Sequence, residues 1–136
     1  MAIINTLQKC LDSPYLFEDK DAPTRVGTLL AKAGERLEAA AKLQKTGQGD
    51  GADISFLSYE AMFACLRALV YRKGYREAGL RCLLLAVEGL YVRTGLLDVA
   101  HVHAFERAQG LKTPPDENLA AAFALSRRTL EILAQA

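Results

Sequence analysis

The sequence predicts an all-α fold, an antiparallel bundle of about five main helices behind a short N-terminal helix. Three observations lead there. Ala and Leu dominate while Val and Ile are scarce, a balance that favours helix over strand. Apolar residues recur at steps of three and four along most of the chain. Glycine and proline cut that pattern into helix-sized pieces. At 136 residues the chain suits one domain, with residues 24–135 as its core and 1–23 as an N-terminal extension. That length buries a real hydrophobic core without staples.

In the extension, Ile3, Leu7 and Leu11 stand at i, i+4 and i+8 and predict a short amphipathic helix. Pro14 and Pro23 end it and bracket a loop. In that loop the cluster Tyr15, Leu16 and Phe17 either folds back on the core or meets a second subunit. The first long helix spans 24–46, with Val26, Leu29, Leu30, Ala33, Leu37, Ala40 and Leu43 on one face and Lys32, Glu35, Arg36, Glu38 and Lys42 largely on the other. "TGQGDGAD" closes it. The run fits no phosphate-binding loop pattern, and Asp50 and Asp53 would repel a phosphate, so it reads as a hairpin turn with Gly47 as C-cap and Asp53 as the next N-cap.

The second long helix covers 54–73 and is apolar around most of its circumference, which predicts a central position. Gly74 ends it. A third helix is expected over 76–93 with Leu80, Leu83, Leu84, Val87, Leu90 and Tyr91 inward, and Gly95 ends that one. A fourth, 97–109, turns Val99, Val102 and Phe105 inward. "GLKTPPDEN" is a break, and Pro114, Pro115 and Asp116 open the last helix, whose face is Leu119, Phe123, Leu130 and Leu133. No segment reads as a strand.

Charge narrows the function classes. With 17 Lys+Arg against 16 Asp+Glu, the net charge of +1 gives no global attraction to nucleic acid or lipid. No basic-then-apolar leader opens the chain, and charges interrupt the longest apolar run, so neither secretion nor a membrane span is expected and the cytoplasm is. Cys10, Cys65 and Cys82 lack metal or redox spacing and read as buried free thiols in a reducing compartment. His101 and His103 are two apart and point to different sides of a helix, so no metal site and no cofactor is expected. The strongest local feature runs from 67 to 81, where Arg67, Arg72, Lys73, Arg76 and Arg81 face one acid, Glu77. Cations complement a helix C-terminus, which explains part of the run. The other reading is an anion or RNA-backbone patch, with Tyr71 and Tyr75 available to stack on a base.

"SYEAMFACLRALVYRKGY" resembles the S-Y-Y-A-M-F-x-A-x-R-A-L-L-x-x-x-G segment of HEPN domains, small helical proteins often encoded beside minimal nucleotidyltransferases. "YVRTGLLD" is similar to the F-V-K-T-G-x-L-D stretch of that family, and "FERAQGLKTPPDENLAAAFALSRRTLEIL" occupies the place of its Arg segment, loop and last helix. The resemblance spans about residues 24–135. It implies a helical bundle that pairs as a homodimer around a cleft, binding a nucleotide, RNA or a nucleotidyltransferase-type partner. Many members are metal-independent ribonucleases using an R-x4-6-H motif, in which His moves protons and Arg stabilises phosphate charge.

This chain departs from that motif. Seven residues separate Arg93 from His101, and no His follows Arg107. "REAGLR" stands where many small members carry S-K-T-H. The expectation is therefore a non-catalytic binding protein. The residues carried over are Ser58, Tyr59, Glu60 and Arg67 on the second long helix, with Arg72 from the basic run and Arg107 near the family's Arg position. Two alternatives stand beside it: a ribonuclease toxin using a displaced His101 or His103 with Arg93 or Arg107, and a structural interaction module.

Overall fold

In a computed structural model of the chain, which describes residues 3–48, 50–110 and 113–135, the helical bundle is present. Its elements are α1 (Leu7–Leu11), β1 (Leu16–Glu18), a 3-10 turn (Ala22–Arg25), α2 (Val26–Thr46), α3 (Gly51–Arg72), β2 (Tyr75–Glu77), α4 (Leu80–Val87), α5 (Val99–Gln109) and α6 (Pro115–Ala134). Gly49 in the first hairpin turn and Leu111 and Lys112 in the break before α6 lie outside the described residues.

Helix α3 is the centre. Twelve of its 22 residues are buried, and α2, α4, α5 and α6 all pack on it. Ala61, Ala64 and Ala68 let neighbours approach closely, while Met62, Leu66 and Leu69 fill the space between them. Each such side chain withdrawn from water contributes about 1.5–3 kcal/mol. By length and composition α3 could cross a membrane, but 67% of its most apolar stretch is enclosed by the bundle. Its N-cap is Asp50, whose carboxylate accepts from the Asp53 amide, so the cap falls three residues earlier than expected. Gly47 ends α2 at φ 68°, a left-handed conformation that costs glycine nothing. At the other end of α3, the Tyr91 hydroxyl donates to the Leu69 carbonyl, while the Val70 and Tyr71 carbonyls accept from Lys73 and Gly74 amides. Three of the four carbonyls that a helix end leaves open are thereby satisfied.

Four expectations need correction. A two-stranded antiparallel sheet exists, pairing Leu16 with Glu77 and Glu18 with Tyr75. Three-residue strands are too short to show an alternating pattern. The Tyr15–Phe17 cluster accordingly splits: Leu16 is buried, and Tyr15 and Phe17 remain exposed. The helix expected over 76–93 starts late, because β2 takes residues 75–77, and it finishes as a π-helical turn, Glu88–Val92. Gly89 in that turn lies against α1, where an added Cβ would stand 2.9 Å from the Leu7 Cβ. On α6 the inward face is Leu119, Ala122, Leu125, Thr129 and Ile132, whereas Phe123 and Leu130 are 42% and 51% exposed. Val99 at the start of α5 is exposed as well.

The fourth correction concerns the cysteines. Cys10 and Cys82 form a disulfide that ties α1 to α4, with Cα atoms 5.6 Å apart; Cys65 alone is a free thiol. Arg81 reinforces the tie by donating from Nε to the Ile4 carbonyl at 2.8 Å. The bond closes a loop of 72 residues, and such loops stabilise chiefly by restricting the unfolded chain. Reducing it with a dithiol, or replacing Cys82 by Ala, is expected to lower stability by about 2–4 kcal/mol in urea titrations. Equal midpoints in oxidised and reduced protein would show that the bond contributes nothing.

Candidate functional site

Past Ile54, the residues of α3 that are not buried before its last turn are Phe56, Leu57, Tyr59, Glu60, Phe63 and Arg67. At 100° per residue, Phe56, Tyr59, Glu60, Phe63 and Arg67 fall on one stripe. Leu29 and Lys32 of α2 face it, and the two helices enclose an open groove of about 280 Å³. Of the residues carried over from the sequence, Tyr59, Glu60 and Arg67 meet here. Ser58 does not: it is fully buried and donates to the Ile54 carbonyl within its own helix. Arg72 is exposed at the end of α3, and Arg107 is exposed on α5; neither lines the groove. Lys32, Phe56 and Phe63 were not anticipated as site residues. The two phenylalanines stand seven apart with Tyr59 between them, an aromatic spacing on one helical face that does signal such a stripe.

The groove has an aromatic wall set on a buried base. Phe105 of α5 is fully buried, and Tyr59 stacks on it with ring centroids 4.9 Å apart. Phe63 meets Phe105 edge-on at 5.7 Å. The Arg67 guanidinium lies 4.3 Å from the Phe63 ring centroid, a cation–π contact. The rings are thus held in place by their own packing. Burial pushes the Tyr59 hydroxyl above its ordinary range, with Arg67 pulling the other way, so it is a neutral donor near pH 7.

The two charges that interrupt this apolar helix have different partners. Glu60 accepts from Arg36 of α2 at 3.1 Å, and both side chains are partly exposed. Arg67 donates from Nε and Nη2 to one oxygen of Glu77 at 3.2 and 3.1 Å, while the Tyr71 hydroxyl donates to the other at 3.2 Å. The Glu77 side chain is only 6% exposed, so β2 delivers a carboxylate whose oxygens are both used. Lys32 makes no ion pair among the described residues.

The other reactive side chains stand elsewhere. No group of three metal-ligating side chains occurs among the described residues. His101 is partly buried, and desolvation lowers its pKa against the pull of Asp98. Arg93 reaches Glu88 at 3.7 Å on the surface. Burial pushes the Cys65 thiol up to about 11, with Thr129 and Ser126 opposing weakly. Thr129 Oγ1 has no hydrogen-bond partner of its own, sulfur being a poor one. A thiol so placed holds no useful thiolate at neutral pH. Compared with models of protein families, with curated proteins and with solved structures, the chain matches none of them.

Two outcomes follow from this geometry. Removing the Glu77 carboxylate (Glu77→Ala) strands Arg67 and Tyr71 and is expected to cost about 1–3 kcal/mol in urea titrations. A double-mutant cycle on Arg36 and Glu60 should return a coupling below about 1 kcal/mol. The reverse ranking would mean that the α2–α3 pair is the structural one. Cys65 generates a pH dependence. The unfolded thiol ionises near 9 and the folded one near 11, so its stabilising effect is complete below pH 9 and is lost as pH rises through that window. Between pH 8 and pH 10.5 the urea midpoint of the wild type should therefore fall further than that of Cys65→Ala. Parallel declines would remove the assignment.

Proposed function

We propose that the protein is a non-catalytic, HEPN-like module that binds a nucleotide or a short segment of RNA in the groove between α2 and α3. The observation that carries this reading is the groove's composition. Stacking surfaces from Phe56, Tyr59 and Phe63 stand beside cations from Lys32 and Arg67, within one hollow open to solvent. Ring faces accept any base, and cations beside them suit a phosphate-bearing ligand. The Phe105 base keeps the rings ordered, which lowers the entropy lost on binding.

The motif resemblance adds a homodimer and a nucleotidyltransferase-type partner to this reading. It supplies no catalytic step, because the groove lacks the histidine that moves protons in the family's ribonuclease motif. Neither His101 nor His103 lines it, and neither Arg93 nor Arg107 does. The ribonuclease alternative therefore has no geometric support. The structural-module alternative draws on the exposed Phe123 and Leu130 of α6.

Phe56 gives a clean test, since it is 58% exposed and contributes little to the core. Calorimetric titration with ribonucleotides and short single-stranded RNA should detect binding. Phe56→Ala should weaken it about five- to a hundredfold with an unchanged melting temperature, the range expected for one lost base stack. Absence of binding to the wild type at millimolar ligand would leave the module without a ligand and favour the purely structural alternative. Light scattering reads the dimer in the same samples.

A further inference from the structure

The groove does not end at Arg67. Leu29 and Arg67 also line a second hollow of about 360 Å³, further along toward the start of α2. Arg25, Thr28, Tyr71, Arg76 and Glu77 complete its wall. Three guanidinium groups therefore surround one space against one carboxylate. That carboxylate is already committed. Both Glu77 oxygens are held by Arg67 and Tyr71, and its side chain is nearly buried. Glu77 fixes Arg67 between the two hollows, and that pair leaves Arg25 and Arg76 as the cations not committed to it.

The remaining cations are lightly held. Arg25 is exposed, makes no ion pair among the described residues, and has no acid beside it in the first turn of α2. Arg76 reaches Asp19 only at 3.7 Å, with 40% of its side chain exposed. The three arginines come from three separate elements: the turn before α2, α3 and β2. A short sheet strand is needed to bring Arg76 there, and Ala78 and Asp19 backbone bonds to Tyr15 and Gly74 fix that strand at both ends. Guanidinium groups recognise phosphate oxygens through paired N–H donors, which a compact ammonium cannot imitate.

We propose that this second hollow is an oxyanion subsite that takes the phosphate end of a phosphorylated nucleoside lying lengthwise in the groove. The base stacks at Phe56 and Tyr59, and the terminal phosphates meet Arg25, Arg67 and Arg76. Tyr59 and Arg67 are eight residues apart on α3, about 12 Å of helix rise, a span suited to a nucleoside carrying more than one phosphate. The polarity follows from the walls: the aromatic end carries Lys32 and Glu60, and the far end adds Arg25 and Arg76 to the Arg67–Glu77 pair. This inference rests on the groove being a nucleotide site.

Calorimetry with four probes separates the two ideas: adenosine, adenosine monophosphate, adenosine diphosphate and inorganic diphosphate. The expected result is that adenosine diphosphate binds at least about tenfold more tightly than adenosine. Arg25→Gln, alone and with Arg76→Gln, should remove that gain while leaving adenosine affinity unchanged. Arg72→Gln and Arg107→Gln, outside the groove, should change nothing. If adenosine binds and added phosphates bring no gain, the subsite is wrong and the groove reading survives. If inorganic diphosphate binds, is lost in Arg25→Gln, and adenosine does not bind, the subsite stands and the base site falls. If none of the four binds, both are overturned. Arg25→Gln touches no ion pair, so it tests the subsite even if Arg76→Gln disturbs the strand.

Discussion

Everything in this molecule is arranged around the burial of α3. A helix of 22 residues with twelve buried must be covered on several sides, and α2, α4, α5 and α6 do this. Its alanines set how closely those neighbours come, and its leucines and methionine set what lies between them. Once they are in place, a single stripe is left. That stripe is where polarity is tolerated along the middle of the helix, because it reaches water. Glu60 and Arg67 occupy it for this reason, and the groove exists because α2 and α5 stop short of closing it.

Charges at the edge of a core must be held without being buried alone. The two on α3 meet this constraint unequally. Glu60 has a partly exposed partner in Arg36, so its pairing contributes little. Arg67 is gripped by a nearly buried carboxylate and rests on the Phe63 ring. Tyr59, Phe63 and Phe105 form one packed set that reaches from core to surface. A surface patch built this way is stiff because its back half belongs to the core. Stiffness of that kind suits recognition more than a lid or a moving catalytic loop.

Much of this was legible in the sequence, for definite reasons. The long helices were visible in the 3.6-residue period, and the end of α2 and the start of α6 in Gly47 and the paired prolines. Tyr59, Glu60 and Arg67 came forward through the motif resemblance, and Glu60 and Arg67 also because they stand two turns apart on one helix. Lys32 and Arg25 did not, since another segment brings them and only the α2–α3 hairpin makes them neighbours. Cys10 and Cys82 were hidden likewise: nothing in a 72-residue separation announces a contact. The α6 face was right at Leu119 and Leu133 and misread at Phe123 and Leu130, because periodicity identifies stripes without saying which one turns inward. Phe123 is the largest side chain on the helix, yet the space beside α3 takes Ala122, Leu125 and Thr129.

The disulfide makes residues 10 to 82 a covalent ring, and α2, α3 and both strands lie within it. Tension applied to the two ends of the chain passes from Cys10 directly to Cys82. It can peel away α5 and α6 and extend the roughly 63 residues outside the ring, about 220 Å of contour, against about 480 Å for all 136 residues. The direct pull bypasses the hairpin that forms the groove. While the bond is intact, the segments that build the site are thus mechanically in parallel with a covalent link, and traction on the chain ends does not load them even after the rest of the bundle has been stripped.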